Sequence, residues 1–266
     1  MSIQLTKPFS ASLAAADRSL VGMWACTGST IVTEICAGSG LDWILIDMEH
    51  APNTLESVLV QLQTVAAYPI VPVVRVPAND PVIIKRVLDI GAQNILVPMV
   101  SDAEEARAAV RAVHYPPRGI RGVGSALARS GRWSRVEGYM QNASDAVTLI
   151  VQIESAEAAA NAEEIMAVEG IDAVYVGPAD LGATMGLIGQ TKHPDVAAAV
   201  SRVIAAAKSA GLPVGINAFD RDVANAYIAE GVDFITVAAD VTLLARSSEE
   251  LTAHFLGTSS DKHDNY

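Results

Sequence analysis

Eight short apolar runs punctuate this 266-residue chain, and Ala-rich stretches with helical spacing separate most of them. The runs fall at 21–27, 42–48, 70–76, 94–99, 147–153, 172–177, 213–218 and 233–239. They are continuous and rich in Val and Ile, which is the pattern of parallel strands buried on both faces. Segments 102–113, 155–168 and 194–210 carry helical spacing, and the last stops at Gly211, a favourable helix end. Gly91, Gly170, Gly211 and Gly231 each stand a few residues before a strand, where helix-to-strand turns want them. Eight such units in a chain of this length predict one (β/α)8 TIM-barrel domain over residues 1–257, since such barrels take about 250 residues. A doubly wound open sheet is the alternative, and it usually needs fewer strands. The polar tail 258–266 is expected to be disordered.

The barrel prediction gives the strand ends their importance. In such a fold every strand points its carboxyl end at the same mouth. The run Val151–Ser155 ends on Glu154, and the run through Tyr175–Gly177 leads to Asp180. The two carboxylates therefore converge, with Gln152 on the same strand face as Glu154. Such a pair suits a hard divalent cation, Mg²⁺ or Mn²⁺ by its oxygen ligands. Two unrelated strand-end acids serving as caps are the plain alternative. The second strand ends in Asp47-Met48-Glu49-His50, placing a base at the mouth. Arg75 lies among Val73, Val74 and Val76, so it must be paired or useful. A structural ion pair with Asp47 or Glu49 is the competing explanation for it. A base, a cation and acids at the ends of apolar strands make a site constellation.

Composition removes several classes of function. A formal net charge of −12 and a pI near 4.8 leave no dominant basic surface for nucleic acid or anionic membranes. No apolar run reaches the ~18 residues of a membrane span, and residues 1–16 do not form a signal peptide pattern. Cys26 and Cys36 lack a metal-finger spacing and fit a reducing compartment, so a cytoplasmic location is expected. The five lysines, Lys7, Lys85, Lys192, Lys208 and Lys262, all miss the predicted strand ends, which argues against an imine-forming lysine. Segment 114–146 is too long for a tight connection and carries Arg118, Arg121, Arg129, Arg132 and Arg135. Its glycines Gly119, Gly122 and Gly124 follow a helix rather than a strand, so they fail the dinucleotide-binding context. A structural excursion or subunit contact is the expected role.

Taken in order, the segments WILIDMEHAPN (43–53), VVRVPANDP (73–81), RVLDIGAQNILVPMV (86–100), YPPRGIRGVGSALARSGRW (115–133), VQIES (151–155) and YVGPADLGATMG (175–186) resemble the HpcH/HpaI family of class II pyruvate aldolases. The likeness runs from about Met23 to about Arg246. It implies that Glu154 and Asp180 hold a divalent metal ion, Mg²⁺, Mn²⁺ or Co²⁺. It implies a substrate-binding role for Gln152, a base at His50 and a transition-state stabiliser at Arg75. Asp89, which on its own reads as an exposed helix-end acid, would raise the basicity of the histidine. Backbone at Ala179 and Asp180 would hold the pyruvate carboxylate. Trp24, Val123 and residues 217–219 are the candidate lining of the aldehyde pocket.

The expected activity is metal-dependent cleavage of 4-hydroxy-2-oxoacids to pyruvate and an aldehyde, with the reverse aldol addition. A related carbon–carbon lyase, either a sugar-acid aldolase or an acyl-CoA lyase, is the first rival. A non-catalytic metabolite sensor is the second. The resemblance also implies a homo-hexamer that exchanges its last helix between subunits. In the sequence that helix is the amphipathic stretch Val241–Leu256, with Val241, Leu244, Ala245, Leu251 and Phe255 apolar.

Overall fold

The computed structural model describes residues 3–257. Eight parallel strands close on themselves in chain order, each paired with the next and the last with the first. They are β1 (Leu20–Ala25), β2 (Trp43–Asp47), β3 (Val71–Arg75), β4 (Asn94–Val97), β5 (Thr148–Ile153), β6 (Ala173–Val176), β7 (Val214–Asn217) and β8 (Phe234–Ala239). All eight expected runs are strands, each trimmed by a residue or two. β4 stops two residues short because Pro98 has no N–H for the ladder and Met99 turns to φ 54°. The polar tail from Thr258 lies outside the described residues.

Helices alternate with the strands. They are α1 (Phe9–Ala15), α2 (Thr30–Ala37), α3 (Leu55–Val65), α4 (Pro81–Asp89), α5 (Ala103–Val113), α6 (Tyr139–Asn142), α7 (Ala156–Ala160), α8 (Ala162–Met166), α9 (Pro178–Thr184), α10 (Pro194–Ala210), α11 (Arg221–Glu230) and α12 (Asp240–Leu256). Side-chain caps fix several starts: Asp80 accepts from Val82 and Ile83, Asp102 from Glu104 and Glu105, and Asp220 from Asp222 and Val223. The helices that follow a strand and lead to the next one leave from the mouth and run back to the opposite face, where the next strand begins. No helix among the described residues is long and apolar enough to cross a membrane.

The barrel interior is filled, not hollow. Phe9, Trp43, Tyr175 and Phe234 pack edge to face or tilted, with ring centroids 5.3–6.4 Å apart. Bulk on one strand requires its absence on the neighbour: a Cβ on Gly22 would stand 2.5 Å from the Trp43 ring, and one on Gly215 would run into Phe234. The amino-terminal segment, which carried no structural signal of its own, closes the floor. Phe9 is wholly buried, its N–H donates to Asn94 Oδ1 at 2.7 Å, and the Ser10 N–H donates to Thr148 Oγ1 at 3.0 Å.

Segment 114–146 packs on the floor side. The Ile120 N–H donates to the Arg111 carbonyl and the Arg121 N–H to the His114 carbonyl, which completes the end of α5. A Cβ on Gly119 would collide with those same carbonyls, so close backbone approach explains this glycine. Arg121 is buried against the Tyr115 ring and pairs with Asp89 at 3.1 Å. Arg129 donates to the Ile90 carbonyl at the end of α4.

His114, buried beside Ser144 Oγ, is held down to about 4, first by burial and then by Arg118 and Arg121. The folded chain therefore keeps it neutral where the unfolded chain protonates it. Its contribution is intact above the unfolded value of about 6.5 and is lost as pH falls from there towards about 4, up to ~3 kcal/mol. Urea titrations from pH 7 to 4 should show this slope, and His114→Asn should flatten it. An equal slope in the variant counts against this origin.

Candidate active site

Strand ends at the mouth carry the polar residues. Above the aromatic layer, the inward positions are Asp47 (β2), Arg75 (β3), Gln152 with Glu154 just past it (β5), Asn217 (β7) and Thr236 (β8). Period-2 alternation puts them on the inward face, as the spacing of Gln152 and Glu154 requires.

Arg75 is the centre of one half. Its Nε and Nη2 each donate at 2.8 Å to the two Asp47 oxygens, and Nη1 lies 2.9 Å from Glu49 Oε2. Its guanidinium carbon sits 4.3 Å from the centroid of the Trp24 ring. The structural ion pair expected as an alternative is thus present, with both acids. It does not exhaust the side chain. A guanidinium has five N–H donors, and three face these carboxylates, which leaves two for a ligand. Asp47 also organises the turn after β2. It accepts from the backbone N–H groups of Glu49 and His50 at 3.0 and 3.3 Å, and its own carbonyl accepts from Asn53 Nδ2 at 2.7 Å. Gln61 holds Asn53 from behind at 2.6 Å. This buried amide network fixes where His50 leaves the strand. The imidazole itself is 66% exposed, with Nε2 4.0 Å from Glu49 Oε2. It faces the open mouth, free to meet a ligand.

Glu154 is the centre of the other half. One oxygen accepts from the Met99 N–H at 2.7 Å and the other from Gln152 Nε2. Burial pushes its carboxyl up to about 7, and nearby Glu49 and Asp180 add to the rise. Gly177 is required beside it, since a Cβ there would stand 2.9 Å from Glu154 Oε2. Met99 reaches Glu154 from a left-handed backbone conformation (φ 54°) unusual for a side-chain-bearing residue. Nothing in the sequence marks Met99 except Pro98 before it. Asp180 is exposed in the first turn of α9, and Ala179 precedes it, so their amide groups open that short helix toward the mouth.

The carboxylates fit a divalent cation. Among the described residues there is no group of three or more His, Cys, Asp or Glu placed to enclose a metal. A closed cage is not what this chemistry needs, because Mg²⁺-like ions take one or two carboxylates and keep places for water and substrate. Glu154 is a buried carboxylate raised by burial and by neighbouring acids, and Gln152 Oε1 is buried without a partner. Both are the expected condition of groups that face a cation.

Two expected site residues are not at this mouth. Asp89 ends α4, on the floor face, where it pairs with Arg121. Val123 is 65% exposed, flanked by Gly122 against Lys85 and Gly124 against Asp89. The reason is the direction of the helices: α4 starts beside Arg75 and runs away from it. Within one chain neither residue touches His50 or lines this mouth. The arginines of 118–135 lie with them on the floor face, Arg121 on Asp89 and Arg129 on the Ile90 carbonyl. Trp24 lies at this mouth, under the Arg75 guanidinium. Its Nε1 donates to Asn217 Oδ1 at 2.9 Å and approaches Thr236 Oγ1 at 3.0 Å. Phe219 stands partly buried against the interior cluster.

Comparisons with known proteins agree with this geometry. The family model described as HpcH/HpaI aldolase/citrate lyase matches residues 20–247. A Shigella flexneri protein named 4-hydroxy-2-oxo-heptane-1,7-dioate aldolase is 51% identical over 245 residues, which is 92% of each chain. A Klebsiella pneumoniae protein of the same name is 50% identical over 250 residues, 94% of each. The crystal structure of an HpcH/HpaI aldolase/citrate lyase family protein from Burkholderia cenocepacia J2315 superposes with a TM-score of 0.89 at 41% identity, covering 92% of this chain and 98% of that one. A closed eight-stranded barrel, an inward ring of Asp47, Arg75, Gln152 and Glu154, and a family match across nearly all of it lead to one assignment: this chain belongs to the HpcH/HpaI aldolase/citrate lyase family.

Proposed function

We propose that this chain is an aldehyde-lyase that cleaves 4-hydroxy-2-oxoacids to pyruvate and an aldehyde, and that it runs the aldol addition in reverse. The observation that carries the reading is the mouth itself. Buried Glu154 with Gln152 stands on one side, Arg75 with two spare donors on another, and His50 opens onto the space between. The names of the relatives, at 50–51% identity over nine-tenths of the chain, support the same substrate class.

Glu154 and Asp180 would hold a divalent cation, with Mg²⁺, Mn²⁺ and Co²⁺ as the candidates, and the cation would supply Lewis-acid stabilisation of negative charge on the 2-oxo oxygen. The amides of Ala179 and Asp180 bind the substrate carboxylate. Gln152 orients Glu154 and reaches the substrate. His50 removes the 4-hydroxyl proton; the oxygen's electron pair forms the aldehyde carbonyl and the C3–C4 bond breaks. Its electrons pass to the pyruvate enolate, whose oxygen meets the unused N–H groups of Arg75. After the aldehyde leaves, the proton on His50 is returned to C3, which completes pyruvate. Because the imidazole is mostly exposed, His50→Ala should leave the melting temperature unchanged. It should slow cleavage by about 10²–10⁴-fold, the usual contribution of a general base. A variant with parental turnover would remove His50 from this role.

We also propose a homo-oligomer, with a hexamer and an exchanged last helix as the specific form. α12 buries only Asp240, which accepts from the Cys26 and Thr27 N–H groups at 2.8 and 3.0 Å. Its apolar side chains, among them Leu244 at 62% and Phe255 at 75% exposure, find no cover on their own barrel. Asp89 and Val123 can serve a site only from a second copy. Light scattering should give a mass well above 27.8 kDa, and truncation after Asp240 should dissociate the particle. Mixing the inactive His50→Ala and Asp89→Ala proteins under reassembly conditions should restore part of the activity. A monomer, or no restoration, counts against a shared site.

A further inference from the structure

Asn53 follows His50 by three residues, and its side-chain amide has only one orientation that fits. The Asp47 carbonyl can only accept, so the amide atom 2.7 Å from it is Nδ2, and Oδ1 faces Gln61. Gln61 must then present Nε2 to Asn53 at 2.6 Å, which turns its Oε1 toward Thr33 Oγ1 at 2.9 Å. The Thr33 hydroxyl has one hydrogen and two acceptors in reach, Gln61 Oε1 and the Ser29 carbonyl. That carbonyl already accepts from the Thr33 N–H at 2.9 Å, so the hydroxyl serves Gln61. Donation therefore runs one way, from Thr33 to Gln61 to Asn53 to the Asp47 carbonyl. The second hydrogen of Gln61 Nε2 goes to the Ser57 carbonyl at 3.3 Å, and that of Asn53 Nδ2 to the Ala25 carbonyl at 3.4 Å.

Thr33 and Gln61 are wholly buried and sit on α2 and α3, outside the barrel wall. The other buried residues of α3, Val58, Leu62 and Val65, are apolar, so an apolar side chain at 61 would serve the packing at less desolvation cost. What the amide adds is a hold on the turn from Asp47 to Asn53. The Asp47 carboxylate takes the N–H groups of Glu49 and His50 at one end, and Asn53 ties the Asp47 carbonyl at the other. The His50 imidazole forms no hydrogen bond among the described residues and has Glu49 at 4.0 Å, so the backbone of this turn is what aims it. We propose that Gln61 is a positioning residue for the reaction: from α3 it acts through Asn53 on the turn that aims His50, and turnover depends on an N–H donor at position 61. The assignment rests on the aldolase reading above, with His50 as the base.

Two substitutions in the full-length protein loaded with Mn²⁺ separate the donor from the packing. Gln61→Met keeps an unbranched side chain without the donor, and it should lower kcat for cleavage by about 10- to 100-fold, since misplacing a catalytic group by about 1 Å can cost about 10²-fold. KM and the calorimetric affinity for Mn²⁺ should stay near parental, because Glu154 and Asp180 lie on the other side of the mouth. Gln61→Glu supplies a donor only while its carboxyl is protonated. Its bonding neighbours, Thr33, Asn53 and Ser57, are neutral, and burial favours the protonated form. Its kcat, divided by the parent's at the same pH, should fall as pH rises from about 6 to about 9. In a His50→Ala background Gln61→Met should cost little more, because nothing is left to position, whereas a structural defect would carry over in full. Melting curves verify folding, and should Gln61→Met not fold, the pH series of Gln61→Glu decides alone. Parent protein is also assayed for pyruvate C3 proton exchange in deuterated buffer. With exchange present, a parental kcat in Gln61→Met, a ratio flat with pH or a full added loss in the His50→Ala background overturns this assignment alone. Absence of exchange overturns the aldolase reading and this assignment with it.

Discussion

Replacing Glu154 with Gln should abolish cleavage and pyruvate C3 proton exchange together, by about 10³-fold or more. The substitution keeps the shape of a side chain packed between Met99 and Gln152, so the barrel should persist. What disappears is one of two carboxylates for the cation, and the charge that makes a buried oxygen a ligand at all. Removing the cation should reproduce the phenotype in the parent: chelation should silence it, and Mg²⁺, Mn²⁺ or Co²⁺ should restore it. Calorimetric titration with Mn²⁺ supplies a readout independent of activity, and the variant should show weakened binding. A variant that binds Mn²⁺ and turns over like the parent would falsify the assignment of Glu154. Borohydride added with pyruvate should leave the protein unlabelled, and a lysine adduct would show an imine route instead.

Arg75→Ala should be more damaging than its effect on chemistry alone. The guanidinium is buried against Asp47 and Glu49, and deleting it leaves the Asp47 carboxylate buried without its two strongest hydrogen bonds. Breaking such a pair costs about 3–5 kcal/mol. Loss of the donors toward the enolate should lower turnover by about 10²–10³-fold. The two effects can be separated. Combining Asp47→Asn with Arg75→Met removes both charges, so stability should largely return while turnover stays low. Arg75→Lys keeps a charge but cannot span both Asp47 oxygens, and it should fall between parent and Ala in stability. If the double variant recovers activity along with stability, Arg75 is a structural residue only.

Local pattern made much of this protein legible. Continuous Val- and Ile-rich runs report burial on both faces, and eight of them spaced by helical stretches leave little besides a closed parallel barrel. Because all strands of such a barrel end at one mouth, Glu154, Gln152, Arg75 and His50 could be placed together from their positions after apolar runs. Asp180 was legible in the same way, as the acid after the sixth run; the roles of Ala179 and Trp24 came from the resemblance. Asp89 and Val123 also came from the resemblance, and here direction mattered: a helix that leaves the mouth carries its last residue to the floor.

Other features have no one-dimensional trace. Phe9 and Ser10 seal the barrel floor through Asn94 and Thr148, residues 85 and 138 positions away from them. Met99 gives its N–H to Glu154 only because its backbone turns left-handed after Pro98. Asn217 has its amide oriented by Thr236 on the neighbouring β8 and by Trp24 on β1, which reaches it only once the barrel has closed. Hydrophobic periodicity is a property of neighbours in the chain, and it determined the strands, their order and the face each side chain takes. Pairings between distant strands depend on closure, which brings groups hundreds of residues apart to within 3 Å, so which polar atom meets which was decided by the tertiary structure alone.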